Sequence, residues 1–280
     1  MKRIITEPML EKYKEYLKEE EKSRATISKY IRDIKKLLDY AGGREITKRL
    51  VLDYKEDLRI NKKYKLSSIN SFLIAVNRFL EYMGWYGMRV KTYNIQREGF
   101  APAGRDLSMQ EYRKLVYAAK YKGKKRLAMV IQTICSTGIR ICEFSNITVD
   151  SVKQGIVDIY CKRKQRKVLL PKKLKNMLVK YIKENNINDG IVFCTSSGKA
   201  LDRSNLWREM KALGGEANIV NEKVFPHNLR HLFAKTFYKI DKDIAKLADL
   251  LGHSSIETTR GYIMTTYEEH QKQLDSMELV

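Results

Sequence analysis

Long apolar runs are missing from this sequence, and cysteines are few and scattered. No stretch approaches the roughly 18 to 20 apolar residues that a membrane-spanning helix needs, and residues 1–8 contain no apolar run that could serve as a signal sequence. These absences predict a cytoplasmic protein with no membrane partner. The four cysteines are Cys135, Cys142, Cys161 and Cys194. They form no C-x-x-C pair, which argues against a zinc site or a disulfide framework, and we expect them to be small buried apolar residues.

The motifs of nucleotide-dependent and metal-dependent enzymes are also missing. No phosphate-binding loop of the form G-x-x-x-x-G-K-[ST] occurs, and no carboxylate cluster of the kind that holds two metal ions is present. The chain has no internal repeat and no low-complexity segment. We therefore expect no cofactor, no metal ion and no small-molecule substrate.

Positive charge is what the sequence has in excess. Lys and Arg number 55 against 33 Asp and Glu, which gives a net charge of +22 and a pI of about 9.7. Because 43% of the residues are hydrophobic, this charge decorates folded elements rather than a disordered tail. The backbone of a nucleic acid is the commonest partner for such a surface. Extra solubility or ribosome association is an alternative that charge alone leaves open.

The length of 280 residues suggests one large domain or two ordinary ones. We expect two, of which the first reads as a helical bundle. Over residues 1–84, apolar side chains recur at three- and four-residue steps, which predicts four or five helices. The predicted N-caps are Ser23 and either Ser67 or Ser68, and the predicted stops are Gly42 with Gly43, and Gly84. We place this helical domain at residues 1–86 and a basic linker at 87–105.

The second domain is predicted over residues 106–280. It opens on a capping box, Ser108 to Glu111, which starts a helix. Two short runs, 155–160 and 167–171, flank the basic segment 162–166 and predict a β-hairpin with a basic tip. The rest reads as helix, so the fold class is mainly α with a small β-sheet (α+β).

Four segments of the second half stand out, although each has a plain explanation by itself. Arg140 follows Gly138 at a helix boundary, where it could be an ordinary surface or capping residue. His227 and Arg230 share a helical face, which also suits a solvated surface. His253 could satisfy carbonyl groups at a helix end, and Tyr262 is one of 17 tyrosines.

Taken together, these segments resemble the tyrosine recombinase family, the integrases and Xer-type recombinases, over essentially the whole chain. The family pattern is T-G-x-R-x-x-E, a hairpin lysine, H-x-x-R, L-G-H, and a tyrosine nine residues after that histidine. The matching residues are Arg140 with Glu143, Lys162, His227 with Arg230, His253, and Tyr262. Lys164 and Lys167 compete with Lys162 for the hairpin position, and Tyr267 is the rival nucleophile at a different spacing.

The resemblance implies a helical, SAM-like core-binding domain followed by a catalytic domain. It implies a site-specific recombinase that cleaves and rejoins double-stranded DNA through a 3′-phosphotyrosyl link to Tyr262, without metal or ATP. His227 would accept the phenol proton, and Lys162 would protonate the leaving oxygen. Arg140, Arg230 and His253 would bind the phosphate.

The resemblance also implies a homotetramer on two DNA sites, with a dimer on each site. A C-terminal tail, about 265–280, would dock on a neighbouring protomer, although simple fraying is the alternative. The DNA-binding candidates are Lys62, Lys63, Lys65, Arg89, Arg105, Arg163, Lys164 and Arg166. The rival functions are a type IB topoisomerase, a DNA-binding factor without catalysis, a metal-dependent nuclease and an RNA-binding module.

Overall fold

The computed structural model describes residues 2–60, 64–96, 99–100, 102, 104–161, 164–195 and 199–277, with the side chains of 161 and 164 left out. The chain forms two compact units, Met1–Arg97 and Glu98–Val280. The division falls within the stretch predicted as a linker.

The first unit is built from helices, as predicted. Its described part holds α1 (Glu7–Glu19), α2 (Arg24–Ala41), α3 (Lys48–Ile60), α4 (Leu66–Tyr82) and a 3₁₀ turn, Tyr86–Met88. The Ser23 side chain accepts a hydrogen bond from the Thr26 amide at 3.2 Å, which confirms the predicted N-cap of α2. Gly42 ends that helix in the left-handed region, with φ at +55°.

The start of α4 differs from the prediction. Its N-cap is Lys65, not Ser67 or Ser68. The Lys65 carbonyl already accepts hydrogen bonds from the amides of Ser68 (2.8 Å) and Ile69 (3.0 Å), so both serines lie inside the first turn. From this start the helix buries side chains such as Phe79 in the core of the unit.

The second unit has many short helices around a two-stranded sheet. Its described part contains α5 (Met109–Tyr121), α6 (Lys125–Thr137), α7 (Val149–Gln154), β1 (Ile156–Cys161), β2 (Lys164–Leu169), α8 (Lys172–Glu184), α9 (Arg203–Glu216), α10 (Pro226–Ile240), α11 (Ile244–Leu251), α12 (Ile256–Ile263) and α13 (Tyr267–Asp275), with 3₁₀ turns at Ile141–Asn146 and Asn221–Lys223. The fold class, mainly α with a small sheet, is confirmed. The capping box of α5 is present, with Ser108 and Glu111 exchanging hydrogen bonds of 3.1 and 2.7 Å.

The hairpin is confirmed, but its strands reach further toward the tip than predicted. The antiparallel pairing extends from Ile156 opposite Leu169 to Cys161 opposite Lys164, so residues 164–166 belong to β2. Arg166 lies opposite Ile159, and directly paired residues share a face of the sheet. Because Ile159 is buried in the core, Arg166 also points inward.

The cysteines whose side chains the structure describes are less buried than predicted, and the side chain of Cys161 lies outside the description. Cys135 and Cys194 are half-buried, and Cys142 is exposed. The prediction is wrong for Cys142 because the 3₁₀ turn that carries it sends Glu143 and Phe144 inward instead. Burial raises the pKa of the Cys135 thiol to about 12.

Candidate active site

Helix α6 ends where the site begins, at Gly138. This glycine has φ at +64°, and a Cβ there would lie 2.6 Å from the Phe233 ring. The position therefore requires glycine on two counts, backbone conformation and close packing. The turn directs the chain to Arg140, which caps the 3₁₀ turn at Ile141–Asn146.

A buried carboxylate holds two arginines in the site. The Glu143 side chain is 3% exposed; its Oε1 accepts from the Arg140 guanidinium at 3.0 Å and its Oε2 from that of Arg166 at 2.6 Å. Oε2 also accepts the Arg140 backbone amide at 2.9 Å. A second guanidinium nitrogen of Arg140 donates to the Gly252 carbonyl at 3.3 Å. The arginine is thus tied both to its own turn and to the chain beside His253.

Arg166 does not lie in an exposed hairpin tip, where the sequence predicted it. Its side chain is only 13% exposed, and it donates to the Leu250 carbonyl at 2.7 Å as well as to Glu143. Its Cδ packs so closely on Gly252 that a Cβ at residue 252 would overlap it. The predicted placement of Arg166 in the basic tip is therefore wrong, because strand pairing directs this side chain into the domain; its contact with DNA stays a prediction.

Arg230 comes from α10 and is almost fully buried, at 1% exposed. It donates to the carbonyls of Gly138 and Leu251, the latter at 2.6 Å, and lies 3.0 Å from His253 Nε2. Burial, followed by the charge of Arg140, lowers its pKa to about 10. At neutral pH it remains a cation.

The hydrogen bonds of His253 fix which of its nitrogens carries the proton. An arginine only donates, so Nε2 of His253 accepts from Arg230. Its Nδ1 then holds the proton and donates to the Thr259 hydroxyl at 2.8 Å. Burial and the charges of Arg230 and Arg140 lower the pKa of His253 to about 4, which keeps the ring neutral.

Tyr262 projects from α12 into the space between these groups. Its side chain is buried, and its hydroxyl lies 3.1 Å from Nε2 of His227. His227 stands in the first turn of α10, which starts with Pro226, and the residue is partly exposed to solvent. Its pKa is lowered, first by partial burial and then by the charges of Arg230 and Arg140. A neutral imidazole therefore faces the phenol.

His231 is a member of the site that the sequence analysis missed. Its ring is stacked on Tyr262, with ring centroids 4.2 Å apart and an interplanar angle of 19°. A local signal existed, because His231 follows Arg230 directly and lies one helical turn after His227, on the same face. Nothing local indicated that this face meets Tyr262.

The structure brings together five of the six predicted catalytic residues: Arg140, His227, Arg230, His253 and Tyr262. The sixth, Lys162, lies outside the described residues, as do the DNA-binding candidates Lys62, Lys63 and Arg163. Lys164 is the first residue of β2, and its side chain is not described. Lys65, Arg89 and Arg105 are exposed, and Arg89 pairs with Glu81 at 2.7 Å. The rival tyrosine, Tyr267, is exposed and contacts Phe100.

The charged side chains of this site form a cluster suited to an anion. Arg140, Arg166 and Arg230 carry three positive charges, and Glu143 is the carboxylate among them. Within the described ranges, the Nε atoms of Arg166 and Arg230 are buried without a hydrogen-bond partner, a costly state that an anionic oxygen would relieve. No cluster of three or more metal-ligating side chains occurs in that part of the chain, and no helix there is sufficiently long and apolar to cross a bilayer.

Known proteins of one family resemble this chain in sequence and in fold. Residues 105–269 match the phage integrase family, and residues 10–87 match the phage integrase N-terminal SAM-like domain. The chain is 27% identical to the tyrosine recombinase XerA of Pyrococcus furiosus over 285 residues, covering 99% of this chain and 96% of that protein. A site-specific recombinase XerH bound to palindromic difH substrate, in a post-cleavage complex, has a TM-score of 0.75 at 20% identity, covering 91% of this chain and 80% of that one.

A lambda integrase tetramer bound to a Holliday junction is also similar in fold. Its TM-score is 0.71 at 16% identity, and the match covers 91% of this chain and 76% of that one. The family matches well over half of the residues, and the site joins a tyrosine to a histidine among arginines. The chain therefore belongs to the phage integrase family and is a tyrosine recombinase, an enzyme of site-specific DNA recombination.

Proposed function

We propose that this recombinase cuts DNA by attack of the Tyr262 hydroxyl on a backbone phosphate and rejoins it by the reverse reaction. One observation carries the assignment: the Tyr262 hydroxyl lies 3.1 Å from His227 Nε2, beside the buried guanidinium of Arg230. A nucleophile, a base within hydrogen-bond reach and a cation for the developing charge are what phosphoryl transfer needs.

In the cleavage step, the Tyr262 oxygen bonds to phosphorus and its proton passes to His227. A phenol has a reference pKa of about 10, so it needs help to lose its proton near neutrality. In the free protein the charges of Arg230 and Arg140 contribute to the lowered pKa of His227. A bound phosphate neutralises part of that charge, and this raises the pKa of His227. The base therefore becomes stronger when the substrate is present.

Arg140 and Arg230 stabilise the charge that grows on the non-bridging oxygens of the phosphate. Both guanidiniums are held by carbonyl or carboxylate groups before substrate arrives, so little reorganisation is required during the reaction. Arg230 keeps its bonds to the Gly138 and Leu251 carbonyls when the phosphate binds. His253 then takes its other neutral tautomer, in which the ring proton has moved from Nδ1 to Nε2: Nδ1 accepts from the Thr259 hydroxyl, and Nε2 donates a hydrogen bond to the phosphate.

The bond from phosphorus to the 5′ oxygen breaks, and this oxygen takes a proton from Lys162. The role of Lys162 rests on the sequence pattern alone. The product is a 3′-phosphotyrosyl bond, which keeps the energy of the broken phosphodiester, so that rejoining uses no nucleotide. The arginines and the lysine supply the charge that metal ions supply in other nucleases, and we propose that the reaction needs no metal or ATP.

The substrate that we propose is double-stranded DNA, bound by a dimer at each of two sites and by a tetramer when the sites join. The solved XerH and lambda integrase structures contain DNA, and the latter is a tetramer on a Holliday junction. The positive charge of +22 suits such a partner. Because genomic DNA is the proposed substrate, we place the protein in the cytoplasm.

The test is covalent capture on nicked duplexes. A nick close to the cleavage site lets a short fragment diffuse away, so the covalent intermediate accumulates. We expect a denaturant-resistant adduct in chelator and without ATP, mapped to Tyr262 by mass spectrometry. Sites would first be selected from a genomic fragment library by binding to the full chain.

The control variants are Tyr262→Phe and Tyr267→Phe. We expect the first to abolish the adduct, a loss of more than about a thousandfold, and the second to retain it. An adduct on Tyr267 would overturn the assignment of the nucleophile. Tight, site-selective binding without an adduct on any duplex would instead favour a DNA-binding factor that does not cut.

A further inference from the structure

Tyr262 is enclosed by aromatic rings on several sides. The His231 ring lies parallel to it at 4.2 Å, and the His227 ring stands across it at 5.1 Å and 68°. The His253 ring is tilted at 5.0 Å, and the Arg230 guanidinium carbon lies 5.9 Å from the ring centre. Of these four groups, His231 is the one to which neither the family pattern nor the proposed reaction gives a role.

We infer that His231 is a positioning residue, whose flat ring fixes the plane of the Tyr262 phenol so that its hydroxyl meets His227 and the scissile phosphorus together. The inference rests on the proposed function of Tyr262. A phenol that is free to rotate about its ring axis keeps its oxygen in place, but a ring that tilts moves the oxygen. Stacking over a whole face opposes that tilt.

The position of His231 on α10 places its stacked ring next to His227, the proposed base. His227 and His231 are four residues apart, on one face of the helix, and their rings contact each other at 4.9 Å and 70°. The same helix therefore holds both the proton acceptor and the surface against which the nucleophile rests. A shift of α10 moves the two together, and their relative geometry is preserved.

An imidazole suits this position for two reasons. It is planar and small enough to lie flat at 4.2 Å, and it is uncharged there. Burial, and then the proximity of His227, lower the pKa of His231 to about 4. A permanent cation at this place would add to the charge of Arg230 and Arg140 and would attract the phenolate away from the phosphate.

Core packing does not account for His231. Its neighbours on α10, Leu232 and Ala234, are the buried residues that fill the interior, whereas His231 is half-buried at the site. The ring contacts of His231 are to His227 and Tyr262. A side chain that served packing alone would tolerate replacement by any apolar group of similar volume.

The experiment compares His231→Phe, which keeps a flat ring without nitrogens, with His231→Gln, which keeps polar atoms without a ring, and with His231→Ala. Lys239→Ala, on the exposed end of the same helix, is the matched control. Each full-length variant is tested for the rate of adduct formation at saturating nicked DNA, for DNA affinity, and for thermal unfolding. We expect Ala and Gln to slow cleavage roughly 10- to 100-fold, with affinity within about threefold. Phe and the control should stay within about threefold of the wild type.

A second readout needs no reaction. With ¹³C-labelled tyrosine in the free protein, the Tyr262 ring signals are identified by their loss in Tyr262→Phe. Stacking shifts them, so we expect His231→Ala and His231→Gln to move them and His231→Phe to keep them displaced. Signals that are unchanged in His231→Ala would overturn the inference, because the ring would then not be held by His231.

The outcomes separate this inference from the function on which it rests. If the wild type forms no adduct while binding a selected site, the proposed function fails. If the wild type forms the adduct and His231→Ala forms it equally fast, only the role of His231 fails. If Gln restores the rate and Phe does not, the nitrogens act in the reaction, and the positioning role is wrong.

Discussion

At the scale of single residues, the site concentrates cations before any substrate is bound. Burial keeps the histidines of the site neutral, and the charges of Arg230 and Arg140 add to this effect at His227 and His253. This arrangement costs stability in the free protein. It also means that the guanidiniums are already held in place when a phosphate binds.

The neutral histidines predict how the stability of the free protein depends on pH. His231 and His253 have pKa values of about 4 in the folded chain, against an ordinary value of 6.5 when unfolded. The unfolded chain thus binds protons first as the pH falls. Stability is fully present above about pH 6.5 and is lost toward pH 4, at up to about 1.4 kcal/mol per pH unit for each histidine.

Urea unfolding at a series of pH values measures this slope. The double variant His231→Phe, His253→Gln should flatten it between pH 4 and 6.5. Gln273→Ala, at an exposed and uncharged residue of the helix Tyr267–Asp275, is the control and should leave the slope unchanged. An identical slope in the wild type and the double variant would contradict the prediction.

At the scale of secondary structure elements, Arg166 connects three parts of the site. It joins β2 to Glu143 on the 3₁₀ turn and to the Leu250 carbonyl at the end of α11. The Arg166 guanidinium therefore links three elements: the hairpin, the turn that carries Arg140, and the chain before His253. Removing it leaves the buried Glu143 with Arg140 as its remaining ion-pair partner.

We expect Arg166→Ala to lower the free energy of unfolding of the second unit by on the order of 3 kcal/mol, because a buried charge loses a partner. The neighbouring Lys167, 65% exposed and 3.9 Å from Asp158, provides the control: Lys167→Ala should cost less than about 0.5 kcal/mol. The chain has two tryptophans, so a Trp85→Phe background leaves Trp207 as the fluorescent reporter of the second unit.

A double-mutant cycle with Glu143→Gln completes this test. If the two side chains act as a pair, the combined loss is smaller than the sum of the single losses. Additive losses, or equal effects of Arg166→Ala and Lys167→Ala, would show that the ion pair does not fasten the elements.

At the scale of the whole molecule, the last helix is weakly attached to its own chain. None of the side chains of α13, which the structure describes in full, is buried. Tyr267 and His270 meet the Phe100 ring edge-on, with centroids 5.6 and 5.0 Å away. Such a helix costs little to move, which suits a segment that joins neighbouring protomers.

We expect removal of residues 268–280 to leave binding to a single DNA site within about threefold and to reduce the joining of two sites at least tenfold. The reason is that the helix contributes little to the buried core but is available to another copy. Gel mobility of singly and doubly occupied sites, and of joined sites, measures both quantities. Lys272→Ala in the intact chain is the control, and equal losses of binding and joining would contradict the expectation.

The amino-acid sequence by itself determined the helices and the identity of most of the site. Apolar spacing and capping residues are local, so Ser23, Gly42 and the Ser108–Glu111 box could be read directly. The motif spacing predicted Arg140, His227, Arg230, His253 and Tyr262 as one site because each motif is short and its order along the chain is fixed, and the structure brings these residues together. The start of α4 was misplaced because a lysine can occupy an N-cap when the backbone there is extended.

Only the tertiary structure decided where the side chains of Arg166 and His231 lie. Arg166 meets Glu143 across 23 positions of sequence, and the basic composition around it favoured an exposed tip. The two-residue spacing puts Arg166 on the same face of the strand as Val168, but the packing of the hairpin decided that this face is the buried one. His231 meets Tyr262 through the packing of α10 on α12. A contact between two helices depends on how their faces meet, and no local pattern in either helix specifies that.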